Sequence, residues 1–248
     1  MNVRLISTSI LLFCALSACQ RAEDPYRWLE DADDKEALAW VAAHNEQTLT
    51  TLQVHPAFDS IYRKNLEIYG TQERTSSADV IGEYVYELLR DVEHERGLWR
   101  RATLNSYLSD DPIWETLLDV DSLAEVEGKD WVFSVGSCLP PDFTHCMIRL
   151  SRGGRDSAEE REFDVESKTF VKGGFVLPEA RNFYEWKDAN TLLVATDFGE
   201  GTITELGWPR IVKEWGRGTS LEEAKVLFEA DSSDVHVWPV IERGPDRS

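Results

Sequence analysis

The sequence predicts a mainly β chain that begins with two amphipathic α-helices. Between residues 24 and 69, apolar side chains such as Leu38, Val41 and Leu49 recur at the spacing of one helix face. From about residue 81 the apolar period changes to two, and turn residues recur roughly every 8–12 positions. Short strands in such a series indicate an all-β sandwich, a barrel or a propeller.

The two helices have recognisable beginnings. Asp33 or Asp34 can accept hydrogen bonds from the first free N–H groups of the first helix. Pro56 suits the first turn of the second helix, because its fixed φ is helical and its missing N–H would have no partner there. Two helices of this size bury too little surface to form a core, so we expect them to pack on a larger partner.

The period of two places nine strands along the rest of the chain. The predicted strands are 84–90, 98–103, 131–137, 146–150, 162–165, 169–171, 191–196, 210–215 and 225–229. Ser220-Leu221-Glu222-Glu223 matches a capping box that opens one helical turn inside this region. The adjacent carboxylates Glu159-Glu160 and Glu222-Glu223 are interpreted as loop or helix-end charges, and not as a catalytic pair.

The first 18 residues are predicted to be a signal peptide of the lipoprotein type. Arg4 precedes an apolar run that ends at Leu16 and is too short for a membrane-spanning helix of about 20 residues. Leu16-Ser17-Ala18-Cys19 matches a bacterial lipobox, in which the Cys is acylated; an ordinary signal peptide is the alternative. We therefore expect an exported protein anchored by a lipid on Cys19 at the periplasmic side of a membrane, with Gln20 slightly favouring the outer one.

The charge balance excludes two classes of partner. The chain carries 46 acidic and 26 basic residues, which give a formal charge of −20. Nucleic acids and anionic membrane surfaces both require clustered positive charge. We therefore expect no nucleic-acid partner and no membrane contact other than the lipid anchor.

Cys138 and Cys146 are the two cysteines that remain beyond Cys19. They flank a predicted loop between two strands, in a compartment that permits disulfides. A disulfide between them and a pair of free, half-buried thiols are both compatible with this placement, because the register of the strands decides the distance. A metal site that also used His145 would lack a fourth ligand.

Eight segments of the chain resemble the N-terminal part of prolyl oligopeptidase-family serine peptidases. These segments are 24–31 (DPYRWLED), 40–45 (WVAAHN), 131–133 (WVF), 150–154 (LSRGG), 161–164 (REFD), 174–179 (GFVLPE), 196–199 (TDFG) and 208–219 (WPRIVKEWGRGT). The resemblance implies that residues 70–248 are a partial β-propeller of about three to four blades. It also implies that residues 19–69 form the helical segment that packs on an α/β-hydrolase domain in this family.

The activity that the resemblance implies is the hydrolysis of short peptides, often after proline. That chemistry needs a Ser on a Gly-x-Ser-x-Gly turn with an Asp and a His, and no Gly-x-Ser-x-Gly occurs in these 248 residues. We therefore name no catalytic, cofactor-binding or metal-binding residue and expect no cofactor. The expected partner is a missing or separately encoded α/β-hydrolase domain, and short peptides would bind once it is present. The alternatives are an exported lipoprotein that serves as a non-catalytic binding module, and a gene fragment without function.

Overall fold

A computed structural model describes residues 24–31, 33–70 and 78–243. The predicted signal peptide (1–18) and Cys19 lie outside this part of the chain. The protein divides into two compact units on either side of the Tyr69–Gly70 bond, and each is described by itself. Among the described helices, none combines the length and the hydropathy that a membrane span requires.

The described part of the first unit contains a 3-10 turn (Arg27–Glu30) and two α-helices, α1 (Lys35–Gln53) and α2 (Phe58–Tyr69). Asp34 begins α1, because its carboxylate accepts hydrogen bonds from the N–H groups of Glu36 (2.8 Å) and Ala37 (3.0 Å). The prediction of two helices is confirmed, and Asp34 is the cap of the two residues considered. Pro56 lies two residues before α2 and not in its first turn, so that placement is wrong.

Most of the predicted apolar face of α1 is open to solvent. Leu38, Val41 and Leu49 are 52%, 42% and 49% exposed, whereas Ala37 is buried. On α2, Ile61, Tyr62 and Leu66 are all more than half exposed. The helices therefore carry apolar surface that they do not bury against each other.

The second unit consists of three antiparallel sheets that follow one another along the chain. The first sheet contains β1 (Ala78–Ile81), β2 (Tyr84–Leu89), β3 (Leu98–Thr103) and β4 (Glu115–Asp119). The second contains β5 (Trp131–Cys138), β6 (His145–Arg152), β7 (Ala158–Asp164), β8 (Thr169–Phe170) and β9 (Val176–Ala180). The third contains β10 (Phe183–Asp188), β11 (Thr191–Ala195), β12 (Ile211–Gly216) and β13 (Lys225–Glu229). Consecutive strands are neighbours, except that β8 and β9 pair with different ends of β7.

Three successive meanders, each starting about 50 residues after the previous one, are the blades of a partial β-propeller, as predicted. Three short helical segments lie between the strands. They are α3 (Leu104–Tyr107), α4 (Val120–Glu127) and a 3-10 turn (Leu221–Glu223). The capping box is confirmed, since the Ser220 N–H donates to the Glu223 carboxylate at 3.2 Å.

Four strands and the two helices α3 and α4 were not predicted from the sequence. The strands β1, β4, β9 and β10 lack a clear apolar alternation, and β9 contains Pro178. Proline is tolerated there because β9 pairs only with β7, so its missing N–H does not interrupt a central ladder. The helix α4 begins directly at the end of β4, capped by Asp119, and ends at Gly128 in the left-handed conformation (φ 62°).

Aromatic side chains fill the space between neighbouring sheets. Between the first and second sheets, the Trp99 ring lies 5.5 Å from Phe133 and 5.6 Å from Phe163, measured between centroids. Between the second and third sheets, Phe175 lies 5.7 Å from Trp186 and 4.9 Å from Trp215. The propeller unit is therefore held together by two separate cores, one at each interface between blades.

Candidate functional site

The two cysteines left open by the sequence lie directly opposite each other at the end of β5 and the start of β6. The structure joins Cys138 and Cys146 in a disulfide, with an S–S distance of 1.99 Å. Cys146 is fully buried. Within the described residues, no group of three or more His, Cys, Asp or Glu side chains is arranged to hold a metal ion.

The histidines in the described part of the chain have local structural partners. His44 stacks on Trp40 at 3.7 Å between ring centroids, and His94 contacts the Asp91 carboxylate through Nδ1 at 3.0 Å. His236 stacks on Trp238 at 4.6 Å. His145 differs from these three histidines, because its partner is a buried carboxylate.

Two buried acids on β7 form the most unusual group of side chains in the propeller unit. Glu160 and Glu162 are 0% and 1% exposed, and their spacing of two places both on the face of β7 that points toward the third sheet. The interpretation of Glu159-Glu160 as a loop or helix-end charge is therefore wrong. Glu159 and Glu160 both lie within the strand β7. Partners distant in the sequence compensate the charges of the two buried acids, Glu160 and Glu162.

The carboxylate of Glu162 is saturated with hydrogen bonds. Both terminal nitrogens of Arg217 donate to it, at 2.7 and 2.9 Å, and the Phe175 N–H donates at 2.9 Å. His145 Nδ1 lies 2.9 Å from the same group. Burial alone would raise the pKa of Glu162, but the hydrogen bonds from Arg217 and Phe175 outweigh it and hold that pKa below its usual value. Glu162 is thus a buried anion that joins the second sheet to the third.

Glu160 accepts fewer hydrogen bonds than Glu162, and its pKa moves in the opposite direction. Arg149, directly opposite on β6, donates from Nη1 at 2.9 Å, and the Tyr184 hydroxyl of the third sheet donates at 2.9 Å. Burial raises the pKa of Glu160 to about 7 despite both partners. Burial also raises the pKa of Tyr184, so its hydroxyl keeps its proton and donates.

The other face of β7 connects to the first blade. Arg161 donates to both carboxylate oxygens of Glu127 on α4, at 2.6 and 3.0 Å, and to Glu159 at 2.6 Å. Arg101 of the first sheet reaches Glu166 at 3.0 Å. The charges around β7 therefore link the second blade to both neighbours, and they are engaged with each other.

A row of aromatic rings lies on the third blade. Phe183 stacks on Trp208 at 5.8 Å, and His236 lies between Phe183 and Trp238. The face of the third sheet that points away from the second sheet carries a groove of about 370 Å³ beside these rings. Its lining includes Leu193, Val212, Phe228, Trp238 and Val240. The lining is mostly apolar and also includes the His236 ring, which stacks on Trp238, so the groove suits packing.

Sequence reasoning missed the buried charges around β7. The spacing of Glu160 and Glu162 by two was the available signal, and it does not tell a buried face from a solvated one. Their partners Tyr184 and Arg217 lie 24 and 55 residues further along the chain. No local pattern connects such positions.

Comparisons with known proteins agree with this architecture. The family model for the prolyl oligopeptidase N-terminal β-propeller domain matches residues 18–246. An uncharacterized peptidase of Sinorhizobium fredii is 40% identical over 219 residues, which are 88% of this chain and 30% of the relative. An uncharacterized peptidase of Rickettsia prowazekii is 30% identical over 220 residues, which are 85% of this chain and 30% of that relative.

A solved structure gives the same result. The post-proline cleaving enzyme from Rickettsia typhi superposes with a TM-score of 0.77 at 31% identity, over 84% of this chain and 31% of that protein. The chain therefore spans about 30% of the length of the relatives that it matches. Since the family model covers nearly all of its residues, this chain belongs to the prolyl oligopeptidase family, and its three blades are part of that family's N-terminal β-propeller domain.

Proposed function

We propose that this chain is the propeller part of a serine endopeptidase that hydrolyses short peptides, often after proline. The observation that supports this most strongly is the match of the family's propeller model to residues 18–246. The similarity to a post-proline cleaving enzyme, at 31% identity, supports the substrate class. The aromatic cores and the ion pairs around β7 suit a rigid scaffold better than a catalytic centre.

The chemistry in this proposal comes from an α/β-hydrolase domain outside these 248 residues. A Ser would attack the peptide carbonyl, a His would take and return its proton, and an Asp would orient that His. The exposed apolar side chains of α1 and α2, such as Leu38, Leu49 and Ile61, support the role of the helical unit as the surface on which this domain packs.

We expect the 248-residue chain alone to leave a chromogenic Gly-Pro substrate uncleaved above the buffer rate. A nucleophile, a base and oxyanion donors must lie within hydrogen-bond reach of one another, and this sequence offers no Gly-x-Ser-x-Gly to place the nucleophile. The assay is paired with a fluorophosphonate probe, which labels an activated Ser.

The matched control is a chimera in which this chain replaces the corresponding 30% of the Sinorhizobium fredii relative. We expect the chimera to cleave the substrate and to be labelled within the relative's portion. Labelling of a Ser within residues 1–248 would contradict the proposal, as would a folded chimera that neither cleaves nor reacts.

We also propose that the protein is exported and held at a membrane by a lipid on Cys19. The support is the Leu16-Ser17-Ala18-Cys19 sequence after a short apolar run. Intact-mass measurement of the membrane fraction should give a chain that begins with diacylated or triacylated Cys19. Cys19→Ala should move the protein out of that fraction, whereas Cys14→Ala, inside the segment to be removed, should not. Equal membrane content for both variants would contradict the anchor.

A further inference from the structure

We propose that the interface between the second and third sheets is a pH-sensitive contact, which tightens when the buried carboxyl of Glu160 takes up a proton and loosens when it loses that proton. This goes beyond the peptidase function proposed above and does not depend on it. The proposal concerns three side chains, Glu160 on β7, Arg149 on β6 and Tyr184 on β10.

Glu160 is completely buried at a boundary between blades. Its side chain has no solvent exposure, and one of its oxygens accepts the hydrogen bond from the Tyr184 hydroxyl across the interface. Gly136 leaves the space for this contact, since a Cβ there would lie 1.7 Å from the Tyr184 oxygen. The carboxyl is therefore enclosed between sheets, where the charged form loses its hydration.

Few charged groups face Glu160 from the neighbouring strands. From β6, Arg149 is the cation; its side chain is 30% exposed, and it also donates to the Asp156 carbonyl at 2.5 Å. From β10, Tyr184 contributes a neutral hydroxyl. Along β7, the next residue on the same face is Glu162, whose charge is balanced by Arg217.

The remaining strands around Glu160 contribute no charge. Leu177 of β9 lies directly opposite Glu160, and the nearby part of β5 is Gly136. Glu160 thus faces one partly solvated cation, which it shares with a backbone carbonyl. That is less than the two-nitrogen clamp and backbone N–H that hold Glu162 ionised.

Burial of Glu160 makes the stability of the folded chain depend on pH. The pKa of Glu160 is raised by burial from 4.5 to about 7 in the folded protein. Between these two pH values the folded chain holds a proton that the unfolded chain has released, so its stability falls as the pH rises through this window. Above about pH 7 the interface encloses an anion, and exposing that anion to water becomes more favourable. The contact between the second and third sheets is thus the one that loosens.

The test is urea unfolding of the wild-type chain and Glu160→Gln at half-unit steps from pH 5 to 8. One linked proton changes the folding equilibrium constant by at most about tenfold per pH unit. As the pH is raised, we expect the folding equilibrium constant of the wild type to fall relative to that of Glu160→Gln, by up to about tenfold per pH unit. The matched control is Glu162→Gln, from the same face of the same strand. It is made in a His145→Gln background, which removes the imidazole that lies 2.9 Å from Glu162. There it should be less stable than its parent but keep the parent's slope, because Glu162 is ionised in both states over this range.

Two measurements on the wild type keep the test decisive if a variant does not fold. Carbon-detected NMR of the Glu160 carboxyl should give a transition near pH 7. Hydrogen exchange of the β10 and β11 amides, corrected for its intrinsic pH dependence, should rise above pH 7 relative to the β2 and β3 amides. A carboxyl transition near pH 4.5, or equal slopes in the wild type and Glu160→Gln, would overturn the proposal.

Discussion

Replacing Arg217 by alanine is expected to lower the free energy of unfolding by about 3–5 kcal/mol at pH 7, because it leaves a buried carboxylate without its main cation. Glu162 has no solvent exposure, and both of its oxygens accept hydrogen bonds from the Arg217 guanidinium. The Phe175 N–H and His145 remain as partners, but neither supplies a permanent positive charge. Urea unfolding followed by tryptophan fluorescence measures the loss.

The chain offers a matched control for this variant. Lys187 and Glu214 form an ion pair of the same length, 2.7 Å, within the third sheet, but their side chains are 47% and 33% exposed. Exposed pairs contribute about 0–1 kcal/mol, so Lys187→Ala should have a small effect. Arg217→Lys should fall between the two, because lysine keeps the charge and loses the paired hydrogen bonds. Equal losses for Arg217→Ala and Lys187→Ala would contradict our account of Glu162.

The pH dependence of the same variant gives a second check. The pKa of Glu162 is depressed in the folded state. Its ionised carboxylate therefore contributes to the free energy of unfolding at neutral pH, and this contribution is lost as the pH falls below the ordinary pKa of a Glu carboxyl. Arg217→Ala should remove much of this loss of stability at low pH. The difference in stability between the variant and the wild type should therefore shrink as the pH is lowered toward 4.

Replacing Trp186 by alanine is expected to cost about 3–5 kcal/mol, the range for deleting a buried aromatic ring from a core. The Trp186 side chain is fully buried between the second and third sheets and lies 5.7 Å from Phe175. Its Nε1–H also donates to the Ser137 carbonyl at 2.9 Å, so the variant leaves both a cavity and an acceptor without this donor. Urea unfolding measures the total cost.

Two further tryptophan variants separate burial from location. Trp238→Ala removes a ring that is 57% exposed and should cost about 1 kcal/mol or less. Trp99→Ala removes a ring of equal burial from the other interface and should cost about as much as Trp186→Ala. Hydrogen exchange should then accelerate first in the third sheet for Trp186→Ala and in the first sheet for Trp99→Ala. The same exchange pattern for both variants would contradict the existence of two separate interface cores.

Much of the secondary structure could be predicted from the sequence, because it depends on local periodicity and capping. The apolar period of two is clear over β2 and β3, and the structure has both strands within one residue of the predicted bounds. Asp34 and the Ser220–Glu223 capping box act through hydrogen bonds that span two or three residues. The family and its propeller followed from short segments in the right order. These features need no knowledge of distant contacts.

The roles of the charged side chains were decided only by the tertiary structure. Glu160 and Glu162 belong to one strand and one face, and in the sequence they are equivalent. Their pKa values nevertheless move in opposite directions. Burial raises both, but at Glu162 it is outweighed by the hydrogen bonds from Arg217, 55 residues away, and from the Phe175 N–H. At Glu160 burial prevails, although Tyr184, 24 residues away, donates to it. Desolvation and ion pairing depend on which side chains the stacking of the blades brings within about 3 Å, and the period of a strand carries no information about that distance.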